Sequence, residues 1–356
     1  MIYTEFDTLE EVIVGDIYSP GDLDSFLPEK SLSGFNKILE ETKEDFEKLS
    51  NFLKEGGIKV HRPKVLNFKH DFKMPEFDIK LPMSPVVPRD AYMVRGNTVI
   101  QAYTSLADRY FDSLAYYDIF NDLFDQGYNW IAQPLPMLKK LNDNDKWYQD
   151  DMIYQTKLDD KVLWHMATMF QAGDAVILNS KGPGTTKGLE WVKRNLPNTR
   201  FIENPGTVMR NFGHIDHGFL LIDDETVIHA GIEWVPEVLK DKKLIDCKPF
   251  LPKLILDNFI RDAHATKSRY DIEWLDKYLE NWLGYNQEVC FDLNVLIIDS
   301  KNIVWGREIP DLFKFLKKEH GIESHVCHHR HSLYWEGGIH CSTLDIKRKG
   351  VSRKII

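Results

Sequence analysis

The chain lacks the usual marks of a secreted, membrane-bound or metal-stabilised protein. Its 356 residues include only four cysteines, which are widely scattered and form no CxxC pair. This distribution favours reduced thiols over a disulfide framework or a structural zinc site. There is no apolar run of about 18 residues, and residues 1–7 lack the basic and apolar regions of a secretory signal. We therefore expect a cytoplasmic protein that does not associate with membranes.

Positive charge is also scarce, because 55 Asp and Glu residues outnumber 45 Lys and Arg residues and give a net charge of -10. Such a chain lacks the basic surface that nucleic-acid binding needs, and it is compatible with a cationic substrate. One stretch does look metal-binding because it contains His325, Cys327, His328, His329 and His331. Its spacing matches no zinc pattern, so we predict no metal site there.

What the chain does contain is a repeated local pattern. Helix-like segments lead into short strands, and between them lie segments with the pattern strand, turn, strand. The helix–strand pairs fall at residues 44–60, 114–131, 189–202, 236–245 and 310–323, and the hairpins at residues 91–100, 218–228 and 294–305. Units of this kind cannot bury their apolar faces alone, which favours a radial α/β arrangement of five units around one central site. An ordinary mixed α/β sheet is the alternative.

Two stretches interrupt the repeat, residues 141–169 and residues 250–289, and both are interpreted as insertions that could cover the site. Neither has the Gly, Ser or Pro bias of a flexible linker. The sequence therefore predicts a single domain over residues 1–356.

One cysteine follows a glycine-rich approach, in the segment Gly337-Gly338-Ile339-His340-Cys341. Paired glycines have no Cβ, so backbone and ligand can come close to the sulfur. Cys341 is the candidate nucleophile. We expect it to share one face of a strand with Ile339 and Thr343. A small buried apolar residue is the alternative interpretation of an intracellular cysteine.

Three further motifs fall near predicted hairpins: Pro88-Arg89-Asp90, the segment from Phe170 to Asp174, and Gly213-His214-Ile215-Asp216. If the last is a strand, His214 and Asp216 lie on the same face and can converge on one ligand. Each Asp could instead be a turn residue and the His a structural partner. Together with the cysteine they supply a nucleophile, a base and three carboxylates.

Such a set suits a planar guanidinium, which stays protonated and presents paired donors to carboxylates. Asp90 and Asp216 would hold it while Cys341 attacks its central carbon. His214 would protonate the departing amine, and Asp174 would orient His214. Nearby carboxylates raise a thiol pKa, so a thiolate would need an imidazolium or the bound cation beside it.

These motifs, which occur in this order between residues 88 and 345 and include the trailing Thr343 and Asp345, resemble those of the amidinotransferases. That family belongs to a superfamily of guanidino-group-modifying enzymes that share a five-bladed α/β propeller. The resemblance implies that fold, a covalent amidino-cysteine intermediate and no cofactor. It also implies the roles of five residues: Cys341 as nucleophile, His214 as acid/base, Asp174 as its acidic partner, and Asp90 and Asp216 as guanidinium ligands.

The chain departs from the family at one position. Members that use glycine carry an arginine after the His-Ile-Asp hairpin, and a gapless reading places Glu233 there. Arg210, Lys240 or an insertion could replace the missing anchor, or the substrates could differ from arginine and glycine. Glu233 would suit an amine or hydroxyl-rich acceptor, although it could equally be a helix N-terminal residue. We include Arg89 and Glu233 in the predicted substrate-binding set.

The leading functional prediction is transfer of an amidino group from arginine, or a similar donor, to a primary amine, with release of ornithine. Hydrolysis by the same Cys-His-Asp set, as in a deiminase or dihydrolase, is the second hypothesis, and exclusion of water decides between the two. A non-catalytic guanidine-binding or scaffold relative is the third hypothesis. For the leading prediction the partners are a small-molecule guanidino donor and an amine acceptor, without nucleic acid or membrane, and the aromatic content of 12% is compatible with a homodimer.

Overall fold

The computed structural model describes the chain except at positions 26, 28, 67–71, 74–77, 80–81, 104–108, 137–160, 181, 183, 205–213, 252–292 and 336. The predicted insertions therefore lie largely outside the described residues. None of the helices in the described part is long and apolar enough to cross a membrane.

The described residues form seventeen strands and five α-helices. The strands are β1 (Leu9–Val14), β2 (Lys59–His61), β3 (Phe72–Lys73), β4 (Asp78–Ile79), β5 (Tyr92–Arg95), β6 (Thr98–Gln101), β7 (Asn129–Ala132), β8 (Met169–Ala172), β9 (Ala175–Asn179), β10 (Arg200–Asn204), β11 (Phe219–Leu221), β12 (Thr226–His229), β13 (Lys243–Asp246), β14 (Leu296–Asp299), β15 (Asn302–Trp305), β16 (Glu323–Val326) and β17 (Thr343–Arg348). The helices are α1 (Glu29–Glu55), α2 (Asp112–Asp125), α3 (Thr186–Asn195), α4 (Pro310–Phe315) and α5 (Ser332–Trp335).

Five three-stranded sheets repeat one topology within the described residues, and β3 and β4 form a separate pair. In each sheet the first two strands are antiparallel and the third is parallel to the second. The parallel strand follows a crossover, which is α2 in the β5–β6–β7 sheet and α3 in the β8–β9–β10 sheet. The fold is the five-bladed α/β propeller that the repeat and the resemblance predicted, with each sheet as one blade.

One blade joins the two ends of the described chain. Its first strand is β17, which pairs antiparallel with β1, with Val14 opposite Thr343. β1 then continues through α1 to the parallel strand β2. Helix α1 buries one face at spacings of three and four residues, through Phe35, Ile38, Leu39, Phe46, Leu49 and Leu53. This face packs against the same core as β1 and the Cys341 segment.

The predicted helix at residues 236–239 is wrong in type. After Pro236 the structure has one 3-10 turn, Glu237–Leu239, and β13 begins at Lys243. The connection from β12 spans only residues 230–242, and it also contains a first 3-10 turn at Ile232–Trp234. This segment leaves no room for several α-helical turns before the next strand.

The site is positioned by the residues that precede the first strand of each blade. Asp90 precedes β5, His165 precedes β8, Asp216 precedes β11, Asn294 precedes β14 and Cys341 precedes β17. All five are buried. Because equivalent strand ends of a propeller point toward the same end of its axis, one short segment from every blade contributes to one central cluster.

Candidate active site

Cys341 lies in a tight turn immediately before β17. The backbone N–H of Ser342 donates to the Gly338 carbonyl at 3.0 Å, and that of Thr343 donates to His340 at 3.1 Å. A Cβ on Gly338 would come within 2.8 Å of Asn294, and one on Gly337 within 2.7 Å of the Cys341 Cβ. The approach therefore requires glycine, as predicted. The expected strand face was wrong, because β17 begins only at Thr343.

Asn294 holds the sulfur in place. Its Nδ2 donates to Cys341 Sγ at 3.1 Å and to Asp216 Oδ2 at 2.9 Å, while its Oδ1 accepts the Cys341 backbone N–H at 2.9 Å. Burial raises the pKa of the Cys341 thiol well above its ordinary value, and the anions of Asp216 and Asp90 raise it further. The free protein therefore carries a neutral thiol at physiological pH.

His340 bridges two buried carboxylates beneath the turn. Its Nδ1 lies 2.5 Å from Asp216 Oδ2 and its Nε2 lies 2.8 Å from Glu5 Oε2. Both nitrogens can donate to carboxylates only in the imidazolium form. Although burial and Arg89 act in the opposite direction, the bonds to Asp216 and Glu5 raise the pKa of His340 above its ordinary value.

Arg89 supports this turn from below. Its Nε donates to the His340 carbonyl at 2.9 Å, and its terminal nitrogens face Asp345 Oδ1 at 3.2 Å and Glu5 Oε2 at 3.5 Å. The guanidinium is buried and directed at protein acceptors. The predicted place of Arg89 in the substrate-binding set is therefore corrected to a supporting position under Cys341.

Asp90 and His214 meet on the other side of the site. Arg109 Nη1 donates to Asp90 Oδ2 at 2.6 Å, while Asp90 Oδ1 lies 3.9 Å from His214 Nδ1. Burial by itself raises the pKa of Asp90, but His214, Arg109 and His165 together hold it below its ordinary value. His214 lies in an irregular segment and Asp216 in a turn before β11, and neither is on a strand, yet they do converge on the site.

His165 is a site residue that the sequence interpretation missed. Its ring lies 5.9 Å from that of His214, centroid to centroid, and burial lowers the pKa of His165 to about 3. Within the described part of the chain, neither of its ring nitrogens has a hydrogen-bond partner. The same holds there for His214 Nδ1 and Asp90 Oδ1. Four buried polar atoms are thus left for a ligand or water to satisfy.

His217 completes the cluster beside the sulfur. Its Nε2 lies 4.0 Å from Cys341 Sγ and 3.6 Å from Asp216 Oδ1. Burial lowers the pKa of His217 to about 4, so its imidazole is neutral at physiological pH. The sequence interpretation overlooked this residue and Asn294, and the signal that could have found Asn294 is its position directly before a hairpin.

Asp174 is not brought to His214. It lies in the turn between β8 and β9, where Arg200 Nη2 donates to its Oδ1 at 3.2 Å and its backbone N–H donates to Arg353 at 2.7 Å. This turn is at the opposite end of the hairpin from His165. The role predicted for Asp174 as partner of His214 is therefore corrected, and Asp90 is the carboxylate that the structure places beside His214.

Glu233 lies in the 3-10 turn Ile232–Trp234. It follows β12, on the connection that brings Trp234 against Gly218, and its side chain is 39% exposed. Lys248 Nζ donates to Glu233 Oε1 at 2.7 Å. Of the two residues suggested as replacements for the missing arginine, Lys240 forms a surface ion pair with Glu237, and Arg210 lies outside the described residues, as does Gly213.

The histidine-rich stretch near residue 325 has structural contacts. A ring nitrogen of His325 lies 2.9 Å from Asn302 Oδ1, one of His329 lies 3.1 Å from Ser342 Oγ, and one of His331 lies 2.8 Å from Glu41 Oε2. These bonds connect the histidine-rich stretch to β15, to the Cys341 turn and to α1.

Known proteins with similar sequences identify the chemistry. No protein-family model matches the chain. The mitochondrial glycine amidinotransferase of Xenopus tropicalis is 26% identical in an alignment of 385 positions, and this alignment covers 98% of this chain and 82% of that protein. L-arginine:L-lysine amidinotransferase of Pseudomonas savastanoi pv. phaseolicola is 24% identical and spans 98% of this chain and 94% of its own. The chain is an enzyme of the amidinotransferase type.

A solved structure of an amidinotransferase shows the same fold. The inosamine-phosphate amidinotransferase StrB1 of Streptomyces griseus superposes with a TM-score of 0.73 at 22% identity, covering 99% of this chain and 97% of that one. The blades described above therefore match those of an amidinotransferase over nearly their whole extent.

Proposed function

We propose that the chain moves the amidino group of arginine, or of a similar guanidino donor, to a primary amine through a covalent amidino-cysteine on Cys341, with release of ornithine. One observation carries this proposal. Asp90 Oδ1 and Asp216 Oδ1 are buried and have no hydrogen-bond partner among the described residues, and both carboxylates act on the Cys341 thiol. A planar guanidinium offers the paired donors that these oxygens can accept.

In the first half of the reaction the bound cation activates the sulfur. Its charge offsets the two carboxylates that raise the Cys341 pKa, so the thiol loses its proton only when the donor is present. A C–S bond forms, the C–N bond to the donor breaks, and the thiol proton ends on the departing amine. We assign the proton carrier as His214, because Asp90 lies 3.9 Å from its Nδ1 and would stabilise the imidazolium.

In the second half an amine replaces ornithine. Its nitrogen attacks the amidino carbon, one of its protons passes to His214, and the C–S bond breaks to return the sulfur. Glu233 is the proposed contact for an amine or hydroxyl-rich acceptor. Its ion pair with Lys248 balances its charge, so Glu233 does not by itself exclude glycine.

The deciding experiment is incubation of the pure protein with arginine, alone and with a panel of glycine, lysine, ethanolamine, diamines and aminocyclitols. Mass spectrometry follows ornithine, citrulline, ammonia and the intact protein. Amine-dependent ornithine, a new guanidino product and an amidino adduct on Cys341 are the expected results. Citrulline with ammonia would replace transfer by hydrolysis, and silence with every amine, without an adduct, would contradict both.

Three wider expectations accompany this proposal. We infer that residues 1–356 act as one domain, that small molecules are the substrates, and that the protein works in the cytoplasm, where it could form a homodimer. Analytical ultracentrifugation tests the oligomeric state, and limited proteolysis tests the single domain. A stable active fragment would contradict the latter.

A further inference from the structure

We propose that Asp90, His165 and His214 form a binding site for a divalent transition-metal ion such as Zn²⁺, and that the ion competes with the guanidino donor. The binding part of this proposal stands on the three side chains alone. The competition rests on the proposed function, in which Asp90 and His214 serve the donor.

The first support is the set of unsatisfied atoms. Asp90, His165 and His214 are 8%, 7% and 7% exposed, each has at least one buried polar atom without a hydrogen-bond partner among the described residues, and one ligand atom from each residue lies near the other two. Leaving a buried polar atom unpaired costs about 1–3 kcal/mol, so several together point to a missing ligand. Two imidazoles and one carboxylate are a ligand set that zinc accepts in proteins.

The second support is distance. One ligand atom from each residue lies within 4.8 Å of the other two, and Asp90 Oδ1 is 3.9 Å from His214 Nδ1. Tetrahedral zinc with bonds of about 2.0 Å needs ligand atoms about 3.3 Å apart. Small side-chain rotations would bring these atoms to that separation, and a fourth position would remain for water.

The carboxylate is already oriented for this role. Arg109 holds Asp90 Oδ2 at 2.6 Å, and the same guanidinium is fixed by Asp112 Oδ2 at 2.8 Å and by the Val87 carbonyl at 2.9 Å. This leaves Oδ1 as the oxygen that faces the two histidines. Such outer contacts are typical of carboxylates that bind metal ions.

A second group of ligand-type residues shares His214, namely Asp216, His217 and Cys341. Two of its members already have partners. Asn294 Nδ2 donates both to Asp216 Oδ2 and to Cys341 Sγ, and His340 also binds Asp216. Metal binding there would break these hydrogen bonds. Metal binding by Asp90, His165 and His214 would break none, because the atoms that would bind the ion have no hydrogen-bond partner among the described residues. The structure thus favours a site without sulfur.

The test is titration of the chelator-treated protein with Co²⁺, followed by visible absorption, and with Zn²⁺ in competition with a chromophoric chelator. We expect one equivalent bound, no sulfur-to-cobalt charge-transfer band, and zinc K-edge absorption that fits only nitrogen and oxygen neighbours. His165→Asn should weaken binding at least about tenfold. His217→Asn, the matched control, should bind like the wild type.

A charge-transfer band, or equal affinity in His165→Asn, would overturn the site, as would the absence of binding. Circular dichroism checks that His165→Asn folds. If this variant does not fold, the visible absorption of the Co²⁺-loaded wild-type protein still decides whether sulfur is a ligand. Competition is tested separately, because Zn²⁺ should raise the apparent KM for the donor. Metal binding without any turnover would refute the proposed function and leave this site intact.

Discussion

The two sides of the active site differ in how well their polar groups are satisfied. On the sulfur side, Cys341, Asp216, Asn294 and His340 are joined by hydrogen bonds of 2.5–3.2 Å, and Asp216 Oδ1 is left without a partner among the described residues. On the imidazole side, His165 has no partner among the described residues. The sulfur side is built before substrate arrives, and the imidazole side is completed by what binds there.

Because of this difference, the two sides should contribute differently to the stability of the protein. A satisfied buried network adds rigidity and stability, whereas unpaired buried groups lower stability and await a ligand. Substitutions on the sulfur side should therefore harm both folding and chemistry. Substitution of His165 on the imidazole side should harm chemistry alone, because its ring nitrogens have no hydrogen-bond partner among the described residues.

The largest effect is expected from Cys341→Ala. Loss of a nucleophile removes the covalent route, so turnover should fall at least about 10⁴-fold. Steady-state ornithine release measures this, and intact-mass spectrometry should show no adduct. Asp174→Asn is the matched control, because Asp174 lies in the β8–β9 turn with Arg200, and it should leave turnover near the wild-type value. Appreciable transfer by the alanine variant would refute the covalent mechanism.

The next largest effect is expected from Asn294→Ala on stability. The change removes two donated bonds and one accepted bond at a buried position, so the free energy of unfolding should fall by about 2–3 kcal/mol. Chemical denaturation measures it. Asn195→Ala, which loses one bond to Trp191 on a helix surface, should change stability by less than about 0.5 kcal/mol. Equal losses in the two variants would show that the sulfur side is not specially stabilised.

A smaller effect is expected on the reactivity of the thiol. Burial raises the Cys341 pKa first, and Asp216 is the nearest anion that raises it further. Removing this charge in Asp216→Asn lowers the pKa and increases the thiolate fraction at any pH below it. Each unit of pKa gives about a tenfold larger thiolate fraction, and the labelling rate rises by less because a thiolate of lower pKa is less nucleophilic. Iodoacetamide labelling of Cys341 from pH 7 to pH 9 measures this, and labelling no faster than in Asp174→Asn would contradict it.

The smallest effect is expected from His165→Leu on stability. Because the imidazole is buried without a partner among the described residues, an apolar side chain of similar size should leave the free energy of unfolding unchanged or raise it by about 1 kcal/mol. Melting with a chelator present measures this. Turnover should nevertheless decrease. A loss of more than about 2 kcal/mol would mean that the imidazole side is also satisfied in the free protein.

Sequence reasoning was most successful where local signals repeat. The helix-like parts of the predicted units, residues 114–124 and 189–196, correspond to α2 and α3, because apolar periodicity and short connections determine such units. The part at residues 44–54 covers only the second half of α1, which begins at Glu29. The helix predicted at residues 236–239 was wrong because the short connection to β13, and not helix propensity, determines the conformation of this segment. Length of connection is information that a periodic pattern does not contain.

The sequence motifs located those candidate site residues that directly precede the first strand of a blade. Asp90, Asp216 and Cys341 have such positions, and the structure brings them together. Asp174 was misplaced because β8 already begins at Met169, so the acid falls in the turn marked by Gly173 at φ 67°. His165 has no motif around it, and only the three-dimensional position of β8 reveals it.

The blade made from β17 and β1 also has consequences for how the protein reaches its folded state. β1 is synthesised early, but its antiparallel partner emerges only after the other four blades. Contacts between residues so far apart in sequence form slowly, because a long loop must close first. Cys341 lies directly before β17, so the sulfur proposed as the nucleophile is among the last groups to be placed. Until β17 has emerged, the exposed edge of β1 is a natural target for a chaperone.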